Sequence, residues 1–175
     1  RYYQSVFSIP NSPKEDLIMK VSVIVTTHNT ERYLLKCMDS IFNQTLSDIE
    51  IIIADDASTD STPQIATELA KTHENVLFLP LSTSLGPGGA RNKALQQASG
   101  EYISFIDSDD WMDLNYLEVM YNKAQQLNAD IVTCSLMREY DYITTSPVYK
   151  CKYDQDYVLS GEIAGVSQSL CKPPN

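Results

Sequence analysis

Five apolar runs along the first 135 residues alternate with segments whose apolar residues recur at helical spacing. The runs are rich in Val and Ile and carry few charges, a pattern typical of strands that are covered on both faces of a parallel sheet. They occupy Lys20–Thr26, Ile49–Ala54, Asn75–Leu79, Glu101–Ile106 and Asp130–Ser135. Each run therefore predicts one strand of a common sheet.

The segments between these runs predict four amphipathic helices. The first covers Glu31–Thr45 and places Leu34, Leu35, Met38, Ile41 and Phe42 on one face. The others begin near Pro63 and Gly86 and at Asp113, and Gly100 is expected to end the third in a left-handed conformation. Strands that alternate with helices of this length predict right-handed crossovers and a doubly wound, mostly parallel α/β sheet.

The pattern divides the chain into three parts. Residues 1–18 show no period and are expected to be a linker, a tag or an upstream remnant. Residues 19–136 form the predicted α/β domain. Beyond residue 136 the pattern weakens, with candidate strands at Tyr140–Ile143 and Pro147–Lys150, and residues 137–175 are expected to begin a second, incomplete region. Because the chain opens with Arg1, we expect it to be part of a longer protein.

Composition narrows the class of partner. The 175 residues are 43% apolar, enough for one core, and the formal charge of −10 argues against binding a nucleic acid polymer. No apolar run approaches the ~18 residues that span a bilayer, so no transmembrane segment is expected. Four widely spaced cysteines suggest neither a zinc site nor a disulfide framework. A cytoplasmic location fits these features, with peripheral membrane attachment left open.

Carboxylates follow two of the predicted strands. Asp55 and Asp56 end the second strand, and Asp107, Asp109 and Asp110 end the fourth. Two unit charges ~4 Å apart repel by about 4 kcal/mol at an effective dielectric of ~20, so such clusters favour a bound cation. Mg²⁺ or Mn²⁺ suits carboxylate oxygens and keeps positions for substrate phosphates. An acidic turn that only ends a strand is the simpler interpretation of either cluster alone.

Parallel strands bring their carboxyl ends to one edge of the sheet, where open α/β folds bind ligands. That edge would gather residues 26–31, both acidic clusters and the glycine-rich start of the third helix, which carries Arg91. Helix starts offer N–H groups to phosphate, and arginine offers a fork of donors. We therefore expect Asp55 or Asp56 to contact a nucleoside and Asp107 and Asp109 to hold a metal ion.

Five motifs, taken jointly, resemble family 2 glycosyltransferases with the GT-A fold. They are Val21–Asn29, Ser40–Thr45, Ala54–Asp60, Gly89–Asn92 and Phe105–Asp110. The resemblance implies a hexosyltransferase-type enzyme that moves a sugar, often from a UDP-sugar, to an acceptor hydroxyl with inversion and with the help of Mg²⁺ or Mn²⁺. By position it implies nucleoside contacts for Thr26, Asn29, Glu31 and Asp56, with Arg91 near the diphosphate. Asp107-Ser108-Asp109 would be the Asp-x-Asp motif, in which Asp107 and Ser108 are expected to contact the nucleotide-sugar and Asp109 is the expected direct metal ligand.

Several points stay open at this stage. The family's catalytic base lies beyond the Asp-x-Asp motif, and Asp154, Asp156 and Glu162 match no pattern, so we expect the base and the acceptor site to lie outside this chain. The acceptor could be a glycan, a lipid-linked sugar or a protein, and a homo-oligomer or a multidomain protein are both compatible with the sequence. The rival interpretation is a non-catalytic donor-binding or interaction module. A phosphatase or a dehydrogenase accounts for fewer of the motifs.

Overall fold

The computed structural model describes residues 19–134, 136–140, 143–149 and 169–173. Within these ranges a six-stranded sheet has the order β3-β2-β1-β4-β8-β5, and β6 pairs separately with β7. The strands are β1 Val21–Thr27, β2 Ile49–Asp55, β3 Val76–Pro80, β4 Tyr102–Asp107, β5 Ile131–Thr133, β6 Leu136–Tyr140, β7 Ile143–Tyr149 and β8 Ser169–Cys171. The helices are α1 Leu34–Phe42, α2 Thr62–Thr72, α3 Gly86–Leu95 and α4 Tyr116–Leu127.

Strands β1 to β4 are parallel, which confirms the predicted fold class. β1 lies between β2 and β4. At the end of β1, Thr27 pairs with Asp55 of β2 and Thr26 pairs with Asp107 of β4. The chain builds outward from β1 through β2 to β3 and then returns to the other side of β1 with β4. The switch in strand order therefore falls between β1 and β4, at the edge where ligands bind in such sheets.

β6 shares only Tyr140 with the candidate strand Tyr140–Ile143, and β8 was not predicted at all. Its three residues lie antiparallel between β4 and β5, so β5 runs parallel to β4 without touching it. Leu170 is fully buried in the core that this strand completes. A three-residue strand whose partners in β4 and β5 lie tens of residues earlier in the chain leaves no local period, and only these partners determine it.

The core has two layers, one on each face of the sheet. Alternate residues of β1 point to opposite faces, as a pleated strand requires. Val23 and Val25 pack with α1, α2 and α4, while Ile24 packs with Ala90 and Ala94 of α3. Leu35, which the helical pattern placed on the core face of α1, is 57% exposed. The sheet is thus doubly wound, with three helices on one face and α3 on the other.

Gly100 has a different role from the predicted left-handed helix cap. α3 ends at Leu95, and Gly86 is the glycine with positive φ (73°) in the described part of the chain. A Cβ on Gly100 would lie 2.4 Å from the backbone nitrogen of Ser22 and 2.7 Å from its Oγ. The Gly100 N–H donates to Ser22 Oγ (2.8 Å). Glycine is required here because the chain passes directly against β1.

Candidate functional site

Asp107 is the junction between three elements at the carboxyl edge. Its Oδ1 accepts hydrogen bonds from Thr26 Oγ1 of β1 (3.0 Å) and from Arg91 Nη2 of α3 (2.6 Å). The Asp107 and Arg91 side chains are 44% and 29% exposed, so the pair borders the crevice without being sealed from water. Arg91 Nε is buried and has no partner within the described residues. The arginine thus orients Asp107 and keeps one donor without a protein acceptor.

The residues after Asp107 divide between the interior and the surface. Ser108 is 2% exposed, donates through its N–H to Thr26 O (3.2 Å) and through Oγ to Thr30 Oγ1 (3.0 Å). Asp109 and Asp110 are exposed. Ser108 therefore anchors the turn, and this anchoring leaves the carboxylates on either side of it facing the edge.

Asp56 holds the start of α3. Its carboxylate accepts hydrogen bonds from Ser84 Oγ (2.6 Å), Leu85 N–H (2.6 Å) and Gly86 N–H (2.9 Å). Burial raises the pKa of Asp56, but these hydrogen bonds and the nearby His28 outweigh burial and hold it below its usual range. Asp56 is therefore ionised and engaged by the protein itself.

Two N–H groups at the start of α3 are already engaged by the protein itself. Leu85 and Gly86 donate to Asp56, and Pro87 has no N–H to give. The carboxylate has the place at the helix start that an anionic ligand would take. A diphosphate at this edge could not use these two N–H groups.

Asp55 has a structural role in the loop after β2. It is 2% exposed. Its carboxylate oxygens accept hydrogen bonds from Thr27 Oγ1 (2.7 Å), Ser58 Oγ (2.5 Å) and the Ser58 N–H (3.0 Å). Ser58 and Ser84, which bind the two adjacent carboxylates, were not singled out from the sequence. Their only sequence signal is that each lies in a polar loop following a strand.

Asn29 and Glu31 lock the loop after β1 to the loop after β2. Asn29, which has φ of +54°, accepts at Oδ1 from the Thr59 N–H (2.8 Å) and donates its own N–H to Ser58 Oγ (2.9 Å). Glu31 Oε2 accepts from the Ser61 N–H at 2.9 Å. Both side chains remain exposed at the edge. They build the wall of the crevice beside Asp56.

No ready-made metal cage is present among the residues that the structure describes. No group of three His, Cys, Asp or Glu side chains there is placed to hold an ion. Mg²⁺ and Mn²⁺ sites of the open type need only one or two carboxylates, since water and substrate phosphate supply the remaining ligands. Asp109, exposed at the edge, and Asp107, oriented through Oδ1, fit such a site.

The sheet is doubly wound, and carboxylates and an arginine lie at its switch point, the edge at which open α/β sheets bind ligands. The family model described as "Glycosyl transferase family 2" matches residues 22–162. The chain therefore belongs to this family and has its GT-A fold. Residues 154, 156 and 162, considered above as acids of the second region, lie outside the described residues.

Individual relatives agree with this assignment. The chain is 41% identical over 112 residues to "Glycosyltransferase GlyA" of Streptococcus pneumoniae, covering 64% of this chain and 16% of that protein. It resembles the crystal structure of S. aureus TarS 1-349 in complex with UDP-GlcNAc, with a TM-score of 0.61, 36% identity and coverage of 65% of this chain and 33% of that one.

A third relative is the mannosyltransferase PcManGT of Pyrobaculum calidifontis in complex with GDP-Man and Mn²⁺. The TM-score is 0.61 with 26% identity, and coverage is 74% of this chain and 39% of that one. The chain spans between 16% and 40% of the length of the curated relatives compared with it. In the described segments, no helix is long and apolar enough to cross a membrane.

Proposed function

We propose that this chain binds a nucleotide-diphosphate sugar, with a UDP-sugar as the first choice, at the carboxyl edge of β1, β2 and β4. The observation that carries the proposal is the convergence of Thr26, Arg91 and Asp107 beside the exposed Asp109. It is supported by the 36% identity to TarS, whose structure was determined with UDP-GlcNAc. The protein to which the chain belongs would transfer a hexosyl group to an acceptor hydroxyl.

The side chains at this edge would divide the binding. Thr26, Asn29, Glu31 and Asp56 would shape the nucleoside pocket, the last three mainly by holding the two loops and the α3 start in place. Arg91 would lie beside the diphosphate, with its Nη2 also held on Asp107 Oδ1. Ser108 would hold the turn from inside rather than contact the ligand, because its hydroxyl is buried against Thr30.

Asp109, with Asp107, would hold Mg²⁺ or Mn²⁺. Such an ion neutralises the charge of a leaving diphosphate and acts as a Lewis acid. Arg91 and Thr26 would keep Asp107 in one orientation through Oδ1, so that this carboxylate need not be ordered when the donor arrives. Inversion requires a base on the acceptor side. We place this base outside the residues described, and with it the binding site for a glycan, lipid-linked or protein acceptor.

Calorimetric titration of UDP in the presence and absence of Mn²⁺ tests the proposal. The parent should bind UDP more tightly with Mn²⁺, and Asp109→Ala should abolish the Mn²⁺ dependence because it removes an exposed ligand. Asp113→Ala, which removes an equally exposed carboxylate four residues away, is the matched control and should behave like the parent.

The same titration separates the proposal from its rival. Heat with UDP that is unchanged by Mn²⁺ and by Asp109→Ala would refute the metal assignment. No heat with UDP, UDP-sugars or other nucleotides would refute the donor site and favour a non-catalytic interaction module. A cytoplasmic or membrane-peripheral location and the domain boundary at residue 136 stay predictions.

A further inference from the structure

α1 carries a row of three polar side chains at intervals of four residues, Lys36, Ser40 and Gln44. Residues four apart lie above one another on the same face of a helix. α1 ends at Phe42, and a hydrogen bond from Gln44 N–H to Ile41 O (3.2 Å) continues the turn far enough to keep Gln44 in the row. The row faces the segment that follows the acidic cluster.

The contacts of this row follow the chain order of that segment. Lys36, Ser40 and Gln44 contact Trp111, Met112 and Asp113 in that order, so α1 and the segment run side by side for two helical turns. The contacts are Lys36 Nζ at 3.4 Å from the centre of the Trp111 ring, Met112 N–H to Ser40 Oγ at 3.1 Å, and Gln44 Nε2 to Asp113 O at 2.7 Å.

Gln44 also caps the helix that follows. Its Oε1 accepts the Leu117 N–H of the first turn of α4 at 2.9 Å. A helix start needs acceptors for its free N–H groups, and the residue before α4, Asn115, makes no side-chain cap of its own in the described structure. Thr45 adds a backbone hydrogen bond to Leu114 O at 3.0 Å. The cap of α4 is thus supplied by α1.

Local backbone hydrogen bonds also order residues 109–115, from Asp110 N–H to Asp107 O (3.0 Å) and from Tyr116 N–H to Asp113 O (3.0 Å). Six of these seven residues are exposed, and Met112 is the one that is partly buried. An exposed segment with few buried apolar contacts opens at low free energy unless hydrogen bonds hold it. The contacts with α1 therefore add to these local hydrogen bonds in fixing where the segment lies.

We infer that Ser40 and Gln44 are positioning residues that hold Asp109, Asp110 and Trp111 at the crevice. This inference rests on the proposed donor site. Neither residue would touch the donor, since both act through the backbone of residues 112–117. The Ser40–Thr45 motif, at the C-terminal end of α1, would then position residues of the binding site without contacting the ligand.

Trp111 allows a direct test because it is the only tryptophan in the chain. Acrylamide quenching of its fluorescence reports how freely the segment moves, without any ligand. The variants are Gln44→Leu and Ser40→Ala. Asn43→Ala is the matched control, since the Asn43 amide lies at the same helix end but bonds only to Asp39 of α1 itself. Ser40→Thr retains a hydroxyl and should behave like the parent.

Gln44→Leu and Ser40→Ala should each raise the quenching constant at least about twofold and weaken Mn²⁺-dependent UDP binding about tenfold, the loss that one hydrogen bond produces. Far-UV circular dichroism checks that each variant is folded, and Ser40→Ala decides the question if Gln44→Leu does not fold. Parent-like quenching in both variants would overturn the inference. So would raised quenching with unchanged UDP affinity.

The two failures can be told apart. If the parent itself binds no UDP, the proposed donor site fails together with the binding half of the inference. The quenching comparison with Asn43→Ala would still decide whether α1 holds the segment, because it needs no ligand.

Discussion

Asp56 gives the sharpest prediction, because the structure assigns it a role that exists before any ligand binds. Replacing it with alanine removes the acceptor of the three hydrogen bonds from Ser84, Leu85 and Gly86. Hydrogen bonds to a charged group contribute about 1.5 to 3 kcal/mol each when the partners are buried. Here the donors at residues 84 and 85 are exposed, so water replaces much of what is lost.

The expected effect is therefore close to that of losing one strong helix cap. We expect Asp56→Ala to lower the free energy of unfolding by about 2 kcal/mol without nucleotide. Urea denaturation followed by circular dichroism measures this difference, with Asp113→Ala as the exposed control that should change it by less than about 0.5 kcal/mol.

The pH dependence has a defined sign. The folded pKa of Asp56 lies below its unfolded value, so the stabilisation is complete above the unfolded value of about 3.9 and is lost as the pH falls through the folded pKa. The difference between the parent and Asp56→Ala should thus be constant from about pH 5 upward and shrink below about pH 4. An Asp56→Ala variant as stable as the parent at pH 7 would refute the role in holding α3.

Three further predictions follow from single contacts. Gly100→Ala should destabilise the fold by about 1 to 3 kcal/mol in urea, since its Cβ would lie 2.4 Å from Ser22 N; parent-like stability would show that the close approach is not required. Arg91→Met should cost less than about 1 kcal/mol of stability, because the ion pair with Asp107 is partly exposed, and a loss above about 3 kcal/mol would contradict this. Burial and the neighbouring aspartates raise the pKa of the Cys37 thiol to about 12. Iodoacetamide should therefore not label Cys37 in the native protein at pH 8, as measured by mass spectrometry. Labelling as fast as in urea would contradict the burial.

Strands β1 to β5 could be predicted from sequence because each is a local pattern. β1 was expected over Lys20–Thr26 and lies at Val21–Thr27, and its burial on both faces follows from its lack of charges. α1 begins at Leu34 rather than at the expected Glu31. Residues 31–33 form a turn instead, in which the Tyr33 and Leu34 N–H groups donate to Thr30 O (2.9 and 3.0 Å) and the Glu31 N–H donates to the Asp60 carboxylate of the next loop (3.1 Å).

The residues of the site were easier to predict than their roles. The sequence placed Asp56, Asp107 and Arg91 at one edge, and the parallel register brings them there. It could not indicate that the Asp56 carboxylate is already engaged, because the donors at residues 84–86 follow it by about 30 positions. Spacing along the chain carries no information about a hydrogen bond of that span.

Hydrophobic periodicity by itself determined the α/β class, since it records which residues leave water, and the motifs by themselves determined the family. The tertiary structure alone decided which polar atoms remain for a ligand. A carboxylate looks the same in sequence whether its partner is a metal ion or a backbone N–H. Asp56 and Asp109 differ because one is enclosed by the start of α3 and the other is exposed on a segment held by Ser40 and Gln44.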